Sequence, residues 1–174
     1  MTKAVIIVDM QKDNVGKFCL SIIPNIQLLV DEARKKGLLV VYACDTRFSD
    51  DSIFKKLQMP VHTVKGTEGW KVVDELSPNE KDIIIEKPRM SAFFGTSLDF
   101  LLREKNIKTL IVCGIRTEIC LFKTVLDAFE LGYEVIVPVD CCASPSPETH
   151  EAILKVLDIL KVKKPKVKDL IKTL

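Results

Sequence analysis

The stretch that decides the fold is Thr109-Leu-Ile-Val-Cys-Gly-Ile-Arg-Thr-Glu-Ile-Cys120. Its apolar start, residues 110–113, predicts a buried strand, Gly114 predicts a tight turn, and Thr117 is the expected N-cap of a helix. Cys120 would then lie in the first helical turn, where unpaired amides and the helix dipole favour a thiolate and lower the pKa of the thiol. The segment therefore suits a nucleophile, and a structural cysteine in the core is the alternative.

On both sides of this stretch, apolar runs alternate with amphipathic segments. Strands are predicted at 4–8, 38–43, 83–85, 110–112 and 134–139, and helices at 24–36, 96–105, 117–131 and 147–160. The strand runs are continuous rather than alternating, which favours a parallel sheet covered on both faces. We therefore expect an α/β fold with three layers, α-β-α, and a mostly parallel sheet of about six strands in one domain, residues 1–174.

Two segments are less regular. The polar stretch 44–67 is predicted to be a functional loop or lid, because structureless connections of this length are uncommon in compact domains. The tail after Pro165 is ambiguous: residues 166–168 could form a short edge strand and residues 169–174 a final helical turn.

Composition narrows the classes of partner. The net charge of +2 comes from lysines spread along 174 residues, which gives no case for nucleic acid. The chain starts Met1-Thr2-Lys3 and enters a short apolar run, so we expect no signal peptide, no membrane segment and a cytoplasmic location. The six cysteines have neither CxxC pairing nor zinc-finger spacing and are expected to be mostly free thiols.

Ionisable or reactive groups follow almost every predicted strand. In chain order these are Asp9, Asp45, Lys87, the 114–120 turn and Asp140. In parallel sheets ligands bind at the carboxyl ends of the strands. The sequence therefore predicts one site at that edge.

A nucleophilic thiol needs a base, and the histidines do not supply one. His62 lies in the long loop, and His150 lies in a helix away from any predicted strand end. Asp9 would have to move the proton, with a pKa raised by burial, although a turn cap is its alternative role. Lys87 would stabilise developing negative charge, and its alternative is a solvated strand-end lysine.

Three motifs, in order along the chain, resemble the isochorismatase-like cysteine hydrolase superfamily. They are Val-Asp-Met-Gln at 8–11, Glu-Lys-Pro-Arg-Met-Ser-Ala-Phe-Phe-Gly-Thr at 86–96, and Gly-Ile-Arg-Thr-Glu-Ile-Cys at 114–120, followed by Thr124 and Asp127-Ala128. The superfamily includes nicotinamidases and N-carbamoylsarcosine amidohydrolases. The resemblance covers most of the chain.

The resemblance implies specific roles. Asp9, Lys87 and Cys120 would form a catalytic triad. The peptide bond between Ile115 and Arg116 would be cis, and the backbone amides of Arg116 and Cys120 would form the oxyanion hole. Relatives that hydrolyse the isochorismate vinyl ether lack the cysteine, so its presence implies hydrolysis of an amide or carbamoyl C–N bond through an acyl-enzyme.

Departures from the family pattern bear on the substrate. Nicotinamidases bind a metal through an Asp-x-His pair and a later histidine; here Asp45 and His62 remain, but Arg47 replaces one ligand and cannot bind a metal. We therefore expect a degenerate metal site and no cofactor. Asn14 stands where an aromatic residue often packs on the substrate.

The substrate contacts are expected among a small set of side chains. The arginines could pair with a substrate carboxylate, or each could form a surface ion pair. Trp70 would lie in the pocket or in the core. The candidate contacts are Asn14, Arg47, Met59, Arg89, Arg116 and Thr117.

The sequence thus predicts a metal-independent cysteine amidohydrolase of small amides or N-carbamoyl compounds. A nicotinamidase is the alternative enzyme, and a catalytically idle oligomeric binding protein is the alternative of another class. The expected partners are a small-molecule substrate and, by resemblance alone, further copies of the chain.

Overall fold

A six-stranded parallel sheet forms the centre of the molecule. The computed structural model describes residues 2–174. The strands are β1 (Thr2–Val8), β2 (Leu39–Asp45), β3 (Ile83–Lys87), β4 (Ile107–Ile115), β5 (Glu134–Ile136) and β6 (Cys142–Ala143). Their order is β3-β2-β1-β4-β5, and β6 pairs with the end of β4 beyond β5. The predicted parallel α/β arrangement is confirmed.

Helices connect the strands and complete the three layers. They are α1 (Ile23–Lys35), α2 (Ser52–Lys56), α3 (Leu98–Glu104), α4 (Phe122–Glu130), α5 (Pro147–Ile159) and α6 (Val167–Leu170). Among residues 2–174, none of these helices has the length and apolar character needed to cross a membrane.

Continuous apolar sequence in the central strands explains the sheet. From Ala4 to Val8, every residue of β1 is at most 1% exposed, because β1 lies between β2 and β4 with both of its faces covered. A strand in this position must be apolar at every residue rather than at alternate ones. The sequence pattern of β1 therefore already encodes its central place.

The predicted boundaries change where the structure adds turns. Residues 134–139 do not form one strand: β5 ends at Ile136, a 3-10 turn covers Val139–Cys141, and β6 follows. The edge strand considered at 166–168 is wrong, because Val167–Leu170 is helical. The loop after β2 contains the short helix α2, whose N-cap Asp51 accepts a hydrogen bond from Ile53 N–H.

Gly114 lies inside β4 and not in a turn, contrary to the sequence prediction. Its φ is +110°, and it pairs with Val8 of β1 and Cys142 of β6. A Cβ at this position would lie 2.2 Å from the carbonyl oxygen of Val8. Only glycine allows the two strands to approach this closely at the edge of the sheet.

Replacing Gly114 with alanine should lower the free energy of unfolding by about 3 kcal/mol or more, because backbone strain and a backbone clash add. Gly37→Ala is the matched control: Gly37 also has a positive φ, +67°, but nothing lies within 4 Å of its added Cβ. Its cost should be about 1–2 kcal/mol. Urea unfolding of both variants measures the difference, and equal losses would contradict the proposed clash.

All six cysteines are free thiols, and five of them are buried. Burial raises the pKa of each thiol above its ordinary value, to about 12 for Cys44 and Cys113. The unfolded chain loses these protons near pH 8.5, while in the folded chain thiols such as Cys44 and Cys113 keep theirs at that pH. The folded state therefore binds more protons in mildly alkaline solution, and its stability must fall as pH rises.

Between pH 7.5 and 9.5, each such thiol should lower the free energy of unfolding by about 1.4 kcal/mol. Urea titrations in the presence of a reductant measure the total. Cys113→Ala removes one thiol and should make the pH dependence shallower by that amount, whatever its effect on stability at pH 7.5. A pH-independent stability would show that the thiols ionise equally in both states.

Candidate active site

Asp9 is the first residue after β1 and turns its carboxylate towards the neighbouring strands. Its φ is +55°, a left-handed conformation that aspartate tolerates better than most residues. The backbone N–H of Asp9 donates to Ala43 O at 3.0 Å, and its Oδ1 accepts from the Asp45 N–H at 2.8 Å. The carboxylate is therefore fixed by the ends of β1 and β2 together.

Lys87 is the last residue of β3 and is completely buried. Its Nζ lies 2.9 Å from Asp9 Oδ2 and 3.6 Å from Asp45 Oδ1, and it donates to the Arg89 carbonyl at 3.2 Å. The ammonium group thus faces two carboxylates and donates a hydrogen bond to one backbone carbonyl. A lysine is stable without water only with such partners.

Cys120 completes the cluster from the other side. Its thiol lies beside the carboxylate of Asp9 and is partly open to a cavity. The structure therefore brings Asp9, Lys87 and Cys120 together at the carboxyl edge of the sheet. The Ile115–Arg116 peptide bond, which leads into this segment, is cis.

The turn that carries Cys120 differs from the sequence prediction. Thr117–Leu121 forms a π-helical turn, and the regular helix α4 starts only at Phe122. Thr117 is not an N-cap: Arg116 occupies the cap position, and no side chain caps the turn. Cys120 therefore lies in a widened turn ahead of α4.

The predicted low thiol pKa is also wrong for the resting site. Burial, and next the negative charge of Asp9, raise the pKa of Cys120, and Lys87 only partly offsets them. Burial likewise raises the pKa of Asp9 despite Lys87. For Lys87, burial acts to lower the pKa, but the charges of Asp9, Cys120 and Asp45 outweigh it and raise it. The site rests with a protonated thiol beside a charged lysine.

Two side chains that the sequence did not place at the site hold the π-helical turn. Thr117 Oγ1 is 2.9 Å from His150 Nδ1 of α5. The prediction that His150 lies away from any strand end is wrong, because Thr117 is two residues beyond the end of β4. The hydroxyl of Thr124 donates to Cys120 O at 2.7 Å and accepts from Ala92 N–H at 3.0 Å. The turn is therefore tied both to α5 and to the loop after β3.

A cavity of about 280 Å³ opens above Cys120. This volume is slightly below the usual range for drug-sized ligands, about 300–1,000 Å³, and suits a small molecule. Four predicted contacts line it: Asn14, Arg47, Met59 and Arg116. The remaining two do not line it, because Thr117 is buried behind the turn and Arg89 is half exposed, with its Nη1 on Pro88 O at 2.6 Å.

Several cavity residues were missed because they come from loops. The polar stretch after β2 contributes much of the wall, and its role as a functional loop or lid stays a prediction. Apolar side chains dominate the missed set: Phe18, Ile53, Leu57, Pro60, Met90 and Ile119. A sequence pattern alone does not reveal them, since their convergence depends on how the loops fold over the sheet edge.

Two other predictions fail at this edge. Asp140 does not line the cavity; its Oδ1 accepts from the Val167 N–H at 2.8 Å and so holds the start of α6. Trp70 belongs neither to the cavity wall nor to the buried core, and its Nε1 donates to Thr46 Oγ1 at 2.9 Å.

Arg47 occupies the position between the two residues of the degenerate metal site. Its Nη2 is 2.9 Å from Asp45 Oδ1, and His62 Nε2 is 3.9 Å from Asp45 Oδ2. Asp45 Oδ2 also accepts from Thr63 Oγ1 at 2.9 Å. A divalent cation at Asp45 would lie against the guanidinium, so these residues do not fit a metal. Within residues 2–174, no three His, Cys, Asp or Glu side chains form a potential metal site.

The fold and this strand-edge site agree with one family of proteins. The isochorismatase domain model matches residues 3–163, and the chain belongs to the isochorismatase family. A probable inactive nicotinamidase of Arabidopsis thaliana is 34% identical over 93% of this chain and 91% of its own length.

Solved structures give the same result. An isochorismatase-like hydrolase from Alkaliphilus metalliredigens has a TM-score of 0.93 and 32% identity, and the alignment covers 99% of each chain. An N-carbamoylsarcosine amidase from Thermoplasma acidophilum has a TM-score of 0.85 and 28% identity over 96% of this chain and 97% of its own. A pyrazinamidase of Pyrococcus horikoshii, solved in complex with zinc, has a TM-score of 0.87 and 29% identity over 95% and 99% of the chains.

Arg47 should be a structural cation, and its replacement tests this. Its side chain is 6% exposed and pairs with Asp45 and Asp51. Arg47→Met therefore removes the guanidinium partner of two nearly buried carboxylates. We expect the free energy of unfolding at pH 7 to fall by about 3–5 kcal/mol. Arg89→Met is the matched control, because Arg89 pairs with the same Asp51 but is 51% exposed. It should cost less than about 1 kcal/mol. Equally small losses would show that Arg47 is dispensable for folding.

Proposed function

We propose that this protein is a cysteine-dependent amidohydrolase that cleaves the C–N bond of a small amide or N-carbamoyl compound. One observation carries the proposal: the carboxylate of Asp9 contacts both the Lys87 ammonium and the Cys120 thiol beside a small cavity. This arrangement provides a nucleophile, a base next to it and a fixed cation. The family membership supports hydrolysis as the reaction class.

In the first half of the reaction, Asp9 takes the proton from Cys120 as Sγ attacks the carbonyl carbon of the substrate. The raised pKa of Asp9 makes it a stronger base than an ordinary carboxylate. The backbone amides of Arg116 and Cys120 hold the oxyanion, and Lys87 stabilises the negative charge that moves between Sγ and Asp9. When the tetrahedral intermediate collapses, the C–N bond breaks and Asp9 returns the proton to the leaving ammonia or amine.

The second half regenerates the thiol. A water molecule gives a proton to Asp9 and attacks the carbonyl carbon of the acyl-enzyme. The C–S bond breaks, the acid leaves, and Sγ recovers the proton from Asp9. Atoms balance with water as the only co-reactant, and each proton passes through the same carboxylate.

Two alternatives remain in the test. The first is a nicotinamidase, which would use the same three residues. The similarity to the Pyrococcus horikoshii pyrazinamidase, solved in complex with zinc, supports this alternative. The Arg47–Asp45 ion pair argues against it, because it opposes metal binding here. An idle binding protein is the other alternative, since the Arabidopsis thaliana relative is called probably inactive. Homo-oligomer formation stays a prediction.

The proposal predicts ammonia release from at least one member of a panel of primary amides and N-carbamoyl compounds that includes nicotinamide. Cys120→Ala and Asp9→Asn should each lower kcat/KM by a factor of about 10³ or more, because the catalytic residues act together and the loss of one abolishes most of the catalysis. Cys113→Ala is the matched control: Cys113 lies on the strand leading to the site but does not line the cavity.

The outcomes separate the alternatives. Equal rates for the native protein and Cys120→Ala would reject the cysteine mechanism. Turnover of nicotinamide with stoichiometric zinc by elemental analysis would favour the nicotinamidase. Absence of turnover throughout the panel, with tight binding retained, would favour the binding protein.

A further inference from the structure

The wall of the cavity is largely apolar. Four elements contribute hydrocarbon or thioether side chains: the segment after β1, the loop containing α2, the loop after β3 and the π-helical turn. They include Phe18, Ile53, Leu57, Met59, Met90 and Ile119. A bound molecule would therefore place most of its surface against groups that cannot form hydrogen bonds.

The deeply buried cations near the cavity are already matched by carboxylates. Lys87 lies between Asp9 at 2.9 Å and Asp45 at 3.6 Å. Arg47 lies between Asp45 at 2.9 Å and Asp51 at 3.4 Å, and its Nη1 also donates to Pro88 O at 2.9 Å. Both cations belong to one closed network rather than to a receptor for an incoming anion.

The outer cations are matched too. Arg116 Nε lies 2.9 Å from Glu118 Oε1, and Arg89 Nη1 lies 3.4 Å from Asp51 Oδ2. Asp13 adds a further carboxylate to the cavity lining and takes no part in these ion pairs. Its Oδ2 accepts a hydrogen bond from the Thr63 N–H at 2.8 Å. Within residues 2–174, Lys87, Arg47, Arg89 and Arg116 thus face Asp9, Asp13, Asp45, Asp51 and Glu118, an excess of one negative charge.

From this balance, and on the basis of the proposed function, we infer that the substrate is an uncharged amide or urea with a compact apolar acyl or N-alkyl group. A carboxylate in this cavity would lose its hydration and find only cations that already have partners, which is costly. An ammonium group would find only Asp13, whose Oδ2 already accepts from the Thr63 N–H, and would otherwise lie against the apolar wall. The carboxylate-binding role predicted for Arg47, Arg89 and Arg116 is therefore replaced by a role in neutralising the site.

Matched pairs of similar shape test the inference. Succinamate and 4-methylpentanamide differ in that an isopropyl group replaces the carboxylate. N-carbamoylglycine and isobutylurea form a second pair with the same exchange, and 4-aminobutanamide supplies a positive charge. We expect the neutral member of each pair to have a kcat/KM about 100-fold or more above its charged counterpart. A preference for the carboxylate or the ammonium compound would overturn the inference.

Asp51→Asn tests whether charge, and not shape, causes the discrimination. Asn can still accept the hydrogen bond from Ile53 N–H as an N-cap, but it no longer neutralises Arg47 and Arg89. The preference for the neutral amide should then shrink by about tenfold. An unchanged ratio would show that the ion pairs do not set the specificity.

Binding separates this inference from the proposed function. The same compounds are titrated calorimetrically into Cys120→Ala, which cannot form the acyl-enzyme. Tighter binding of the neutral members supports the inference even if the native protein turns over none of them, whereas turnover that does not depend on Cys120 rejects only the mechanism. Equal or tighter binding of the charged members rejects the inference and leaves the mechanism standing.

Discussion

The ammonium group of Lys87 is the interaction on which the edge of this sheet depends. It is fully buried between carboxylates from the ends of β1 and β2, while Lys87 itself ends β3. Displacement of the end of β1 or β2 would remove one of the two carboxylates that face this buried charge, at a cost of several kcal/mol. The network continues through Asp45 to Arg47 and so fixes the loop that forms part of the cavity wall. Charge pairing therefore positions the site, while apolar burial stabilises the sheet beneath it.

Much of the fold and the central cluster could be predicted because their signals are local. Continuous apolar runs place β1 and β4 in the middle of a parallel sheet, and the rule that strand ends meet at one edge brings Asp9 and Lys87 together. The position of His150 could not be predicted in this way, since its contact with Thr117 depends on how α5 packs. The same is true of Phe18, Ile53 and Met90, whose loops have no periodic pattern. Arg47 was chosen correctly as a cavity residue, but its partners, which decide its role, are visible only in three dimensions.

The protonation state of Cys120 shows two physical effects in competition. A thiol near helix amides is expected to ionise easily, and that argument holds for a site open to water. Here the thiol faces a carboxylate in a largely buried position, and burial outweighs the attraction of Lys87. A site of this kind keeps its nucleophile protonated until substrate is present, which would limit its reaction with oxidants and other electrophiles.

The π-helical turn between Arg116 and α4 determines the direction of the Cys120 thiol. It does so by the number of residues in the turn and not by their side chains. Such a turn holds one residue more than the α-helical turn it replaces. Removing a residue from Thr117–Leu121 would restore regular winding and rotate everything before the deletion by about 100° relative to α4. The spacing of this segment is thus a structural constraint of its own: substitutions at Ile119 or Leu121 alter packing, but a change in length would turn Cys120 away from Asp9.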